Sequence, residues 1–162
     1  MKIQSIKIIS GLFLMALSLF ADEWQTIHGH SGYIENKSAL SSDDGHYTQY
    51  GLWFRMQPST INWLHWSFEV PEDNGVDKIK FSVFTGSDKT KFDIIDVFNG
   101  NSKLYSKYIE VSGGWQTFEV DLGKTIEPHD GLGISLRVTT SDPNFNGRIV
   151  KISSVGAHFV TQ

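Results

Sequence analysis

Asn62-Trp63-Leu64-His65-Trp66-Ser67-Phe68-Glu69-Val70 is the stretch that decides the fold. Leu64, Trp66, Phe68 and Val70 fall on one side of a two-residue period, and Trp63, His65, Ser67 and Glu69 fall on the other. A strand with this pattern buries one face and leaves the other in water. Ile79, Phe81 and Val83 repeat the pattern against Lys78, Lys80 and Ser82, and Ile134, Leu136 and Val138 repeat it against Ser135 and Arg137.

Outward from these runs, aromatic and β-branched residues recur in short segments, and no window of 12 or more residues keeps a 3.6-residue period. Strands are expected at 23–27, 31–35, 48–56, 62–70, 78–85, 92–98, 103–111, 115–121, 132–140 and 148–160. Turn chemistry separates them, as in Ser42-Asp43-Asp44-Gly45, Asn99-Gly100-Asn101 and Ser112-Gly113-Gly114. The last segment changes phase between Val150/Ile152 and Val155/Ala157/Phe159, which points to a β-bulge at Ser153-Ser154. The expected fold is all-β, an antiparallel two-sheet β-sandwich of jelly-roll type. A porin-like barrel would need an apolar lipid face that these strands lack.

The chain opens with Met1, Lys2 and Lys7, followed by an uncharged run from Ile8 to Ala21. A basic start followed by a short apolar stretch is the plan of a secretory signal, too short to span a bilayer of about 30 Å. Residues 1–21 are therefore expected to be removed after Ala21. That leaves residues 22–162 as one domain with no membrane span, exported to the periplasm or outside the cell. With no cysteine, disulfides, thiolate metal sites and a Cys nucleophile are excluded. Without Lys2 and Lys7 the domain carries 12 basic against 18 acidic residues. An acidic balance argues against nucleic acid or anionic membrane as partner.

Trp24-Gln25-Thr26-Ile27-His28-Gly29-His30, Asn62-Trp63-Leu64-His65, Gly131-Leu132-Gly133-Ile134-Ser135 and Gly156-Ala157-His158-Phe159 follow one another along the chain. Taken together they resemble a bacterial domain-of-unknown-function family. That resemblance covers the whole mature chain and implies a small β-sandwich.

His28-x-His30 with Glu35 resembles the first metal-ligand motif of the cupin barrels, but the glycine spacing and the second cupin motif are missing. The simpler reading is an opening strand in which His28 bonds a neighbouring turn. Acidic turns such as Asp43-Asp44-Gly45 have the oxygen ligands Ca²⁺ takes, and equally the composition of solvated turns. No metal and no cofactor are expected. Glu119-x-Asp121 lacks the further carboxylate of a glycosidase reading, and no Gly-x-Ser-x-Gly elbow or His-Glu-x-x-His helix occurs. No catalytic residue is assigned.

Trp115-Gln116-Thr117-Phe118-Glu119-Val120-Asp121-Leu122 resembles a strand common in jelly-roll carbohydrate-binding modules. Aromatic residues make up 13% of the chain, five of them Trp, which is more than a core of this size needs. Sugar C–H groups stack on such rings, while amides and carboxylates bond the hydroxyls. Trp53, Asn62, Trp63, His65 and His28 are the candidate ligand-binding residues, and Trp66 and Trp115 are expected to pack. Asn62 belongs by alternation to the Leu64 face and serves a site only if the strand entry is bulged. The expected function is a non-catalytic binding module for a glycan or another surface polymer. The alternative is a structural or self-associating exported protein whose aromatic face is a subunit interface.

Overall fold

A computed structural model of the chain describes residues 23–41, 46–48, 51–71 and 73–161. The expected signal segment 1–21, its cleavage point and the acidic turn at 42–45 lie outside the described residues. Among these residues eleven strands follow in order: β1 (Glu23–His28), β2 (Tyr33–Ile34), β3 (His46–Thr48), β4 (Gly51–Arg55), β5 (Ile61–Phe68), β6 (Asn74–Thr85), β7 (Thr90–Asn99), β8 (Ser102–Ser112), β9 (Gly114–Ile126), β10 (Leu132–Thr140) and β11 (Ile149–Thr161). Among the described residues no helix is long and apolar enough to cross a membrane.

Two antiparallel sheets face each other. One runs β3-β4-β11-β6-β9, with β1 also paired to β11; the other runs β2-β5-β10-β7-β8. The inward residues follow the two-residue period. Leu52, Phe54, Phe81, Val83, Val150, Ile152 and Phe159 come from the first sheet, and Leu64, Trp66, Phe92, Ile95, Ile134 and Leu136 from the second, all in one buried cluster. This is the expected β-sandwich.

The expected bulge is present: the register of β11 against β6 slips between Ile152 and Ser154. The extra residue brings Val155, Ala157 and Phe159 onto the same buried side as Val150 and Ile152. It is also where β11 changes its other partner. Residues Ile149 to Ile152 pair with β4, and Ser154 to Phe159 pair with β1. Gly29, which follows β1, and Gly51, which opens β4 at φ +126, both press against the Ile152 carbonyl, where a β-carbon on either would collide. Only glycine lets the two strands meet at that point.

Several boundaries differ from the sequence reading. The segment expected as one strand at 31–35 is reduced to Tyr33–Ile34, because residues Gly29–Ser31 close a 3-10 turn. The segment expected at 48–56 belongs to two strands, β3 and β4, with Thr48 opposite Gly51. β6 and β9 are longer than expected, reaching back to Asn74 and on to Ile126.

One end of the sandwich is closed by a polar knot. Thr90 Oγ1 meets Thr140 Oγ1 and the Gly147 carbonyl, each at 2.7 Å. The Arg148 guanidinium donates to the Met56 carbonyl at 2.9 Å. Hydrogen bonds from Ser87 and the Asn144 amide hold the Asp142 carboxyl below the usual carboxylate range. These bonds satisfy groups that the loop would otherwise bury unpaired.

Candidate functional site

The five residues proposed from sequence do not form one site. Trp53 and His28 lie on the outer face of the six-stranded sheet, Trp63 and His65 on the outer face of the other, and Asn62 between the sheets.

Asn62 is 1% exposed. Its Oδ1 accepts from the Asn36 amide at 3.0 Å, and its Nδ2 donates to the Asn36 carbonyl at 2.8 Å. The strand entry is not bulged, so the side chain braces the turn after β2, as strict alternation requires. His28 ends β1, and its Nδ1 accepts from the His30 amide at 3.4 Å. The 3-10 turn, not a shared strand face, brings the two imidazoles together, with centroids 4.4 Å apart. Glu35 is bonded to His65 instead. No group of three or more metal-ligating side chains is gathered among the described residues.

On the six-stranded sheet, register builds a row. Trp53 of β4 pairs with Lys151 of β11, Lys151 with Phe84 of β6, and Phe84 with Trp115 of β9. Because Leu52 and Phe54 point inward, Trp53 must point outward. Trp115 is 56% exposed, which corrects the expectation that it packs. The signal was legible: Trp115, Thr117, Glu119 and Asp121 alternate with Phe118, Val120 and Leu122, and the polar set carries Trp115 outward with it.

The ring of Trp115 lies 5.6 Å from that of Phe84, tilted by 55°. Lys151 Nζ lies 5.0 Å from the Phe84 centroid. Trp53, Trp115 and Lys151, with Thr48, Gly51 and Leu52, line a groove of about 400 Å³. That volume is in the range of small-molecule sites, roughly 300–1,000 Å³. Arg55 reaches over Trp53, 5.2 Å from its centroid, and over Phe145 at 3.6 Å.

The outer face of the five-stranded sheet is wired with hydrogen bonds. Tyr33, His65, Ser135, Asp96 and Ser106 stand in one cross-strand row. Glu35 Oε2 lies 3.1 Å from His65 Nε2, and His65 Nδ1 lies 2.7 Å from Ser135 Oγ. Tyr33 stacks alongside His65, with centroids 6.3 Å apart. In the next row Arg137, whose guanidinium sits 5.9 Å from the Trp63 centroid, holds Asp93 through two bonds of 2.8 Å. Those bonds to Asp93 raise the guanidinium further above its ordinary value. Asp96, 2% exposed, accepts from Ser106 and Lys103, both at 2.6 Å.

A carboxylate, an imidazole and a hydroxyl in line resemble an acyl-transfer relay. Ser135, however, sits mid-strand in β10, which is paired on both sides by β5 and β7. Its neighbouring amides are committed to the ladders and are not available to stabilise an oxyanion. The arrangement places hydrogen-bonding groups on the outer face of the sheet.

No protein-family model matches the chain, and no curated protein matches it. Solved structures do. The chain superposes on the apo CBM1 of BiXyn10A with a TM-score of 0.55 at 10% identity, over 85% of this chain and 97% of that one. A xylan-binding module, CBM15, gives 0.53 at 10% identity over 88% and 99%. The C-terminal CBM6 of the laminarinase LamC from Zobellia galactanivorans gives 0.52 at 14% identity over 84% and 99%. The fold resembles that of carbohydrate-binding modules. The likeness is one of fold, since at these identities the binding side chains are not carried across. The chain also spans 36% of the length of a longer match, a family two carbohydrate esterase from Cellvibrio japonicus.

Proposed function

We propose that the domain is an exported, non-catalytic glycan-binding module that takes a polysaccharide chain across the outer face of its six-stranded sheet. One observation carries the reading: Trp53 and Trp115, far apart in sequence, stand in a single cross-strand row and line one groove. Three strand spacings of about 4.8 Å separate β4 from β9, so the row extends for roughly 14 Å. A polymer lying across the strands meets an indole at each end and the Lys151 ammonium between them. Rings stack on the apolar faces of sugars, and the ammonium donates to hydroxyl or carboxylate oxygens. The basic and apolar start of the chain supports export.

Affinity electrophoresis through gels containing xylan, laminarin or galactan tests this reading, with xylan first because one structural neighbour is a xylan-binding module. Retention of residues 22–162 by at least one polysaccharide is expected. Trp115→Ala should weaken it about tenfold, which corresponds to ~1.4 kcal/mol. Trp53→Ala should act in the same direction. Unchanged retention with both residues replaced would remove the groove from the reading. Self-association through the same aromatic face would instead give a dimer on a sizing column that Trp115→Ala converts to monomer.

A further inference from the structure

A trough of about 310 Å³ crosses the outer face of the five-stranded sheet beside the Glu35–His65–Ser135 line. Its floor is low because Gly133 has no side chain and its strand neighbours Ser67 and Ser135 are short. His65 and Phe98 form its walls, and Asn101 stands at its end. We propose that this trough is a second ligand site, for a single ring of a neutral sugar. The ligand class rests on the glycan-binding reading, while the location does not.

The hydrogen-bond pattern selects the ligand. The Glu35 carboxylate only accepts, so His65 Nε2 carries the proton it shares with Oε2. With the imidazole neutral, Nδ1 is then bare and Ser135 Oγ–H donates to it at 2.7 Å. The lone pairs of Ser135 Oγ remain to accept from a ligand hydroxyl. The Asn101 amide supplies a donor and an acceptor, and Phe98 supplies an apolar wall. The cations of this face are already neutralised: Arg137 by Asp93 through two bonds, and Lys103 by Asp96. A trough rich in acceptors, with its cations paired, suits a hydroxylated, uncharged ring better than a uronate or a sulfated sugar.

The two sites are back to back. Packed sheets stand about 10 Å apart, with the hydrophobic core between them, so one straight polymer segment cannot touch both.

Isothermal titration of residues 22–162 with xylohexaose, laminarihexaose and cellohexaose in turn tests the proposal. The expected result is two equivalents per chain for at least one sugar. Ser67→Ile, at an exposed strand position, fills the trough with a residue that suits a strand and should leave one equivalent. Trp115→Ala should also leave one, and the double variant none. Ser135→Ala, which removes the acceptor without adding bulk, should weaken the second equivalent about fivefold. A thermal melt of each variant confirms that it is folded.

One equivalent that is lost in Trp115→Ala and untouched by Ser67→Ile would overturn the second site and leave the indole groove standing. One equivalent lost in Ser67→Ile and untouched by Trp115→Ala would sustain the trough and overturn the groove. No heat with any of the three sugars would overturn both.

Discussion

Around the groove of the six-stranded sheet, cations lie against rings: Lys151 Nζ is 5.0 Å from the Phe84 centroid and the Arg55 guanidinium 3.6 Å from Phe145, while further along that face Lys80 lies against both the Trp24 ring, at 4.1 Å, and the Glu119 carboxylate, at 3.6 Å. On the five-stranded sheet the cations near rings are also fixed by carboxylates, Arg137 near Trp63 by Asp93 and Lys103 near Phe98 by Asp96, and an imidazole joins Glu35 to Ser135. Both faces come from the same alternation, yet they hold their side chains differently. A ring under a flexible ammonium can slide to fit a ligand. A guanidinium fixed by two hydrogen bonds holds its geometry before any ligand arrives. The groove is therefore adaptable, and the five-stranded face is preorganised and bound into the stability of the sheet.

Replacements along one line from the core to each face grade this difference. Trp66, 2% exposed between the sheets, should have the largest effect: Trp66→Ala is expected to cost about 3–5 kcal/mol in urea unfolding. A loss under ~1 kcal/mol would mean that the sheets are not held together by this ring. His65→Ala should come next, at roughly 1–3 kcal/mol, because Ser135, 4% exposed, loses its hydrogen-bond partner. A change within about 0.5 kcal/mol would place His65 among ordinary solvent-facing groups and erase the contrast between the faces. Trp115→Ala should be the smallest, within about 0.5 kcal/mol, since more than half of the residue is already in water. A larger loss there would make the indole a structural residue and weaken its assignment to a ligand.

The sandwich was legible because alternation is local: β10 lies where the sequence places it, at Leu132–Thr140, and the Ser153-Ser154 irregularity announced the bulge. Trp53 and Trp63 also face outward, as their neighbours imply. What alternation does not encode is which strands become neighbours. Trp53 and Trp63 are ten positions apart in sequence and project from opposite sides of the molecule, because β4 and β5 belong to different sheets. Glu35 looked like a partner of His28 and His30 by spacing, yet it meets His65 because β2 pairs with β5. Ser135 and Arg137 read only as the wet side of a strand until β10 was set between β5 and β7. Trp115 was misjudged for another reason: the size of the ring outweighed the polar period to which it belongs.

The pairing of β1 with β11 puts Glu23 opposite Phe159 and His28 opposite Ser154. Among the described residues the first strand thus has its only ladder with the last one. Neither β1 nor the junction at Gly29 and Gly51 can assemble until β11, which both require, has been made. Non-local pairing of this kind also slows folding once the chain is complete, since the loop between the partners must close before their contacts form. The ladder that completes the sheet is the one that forms only after all of the domain has emerged.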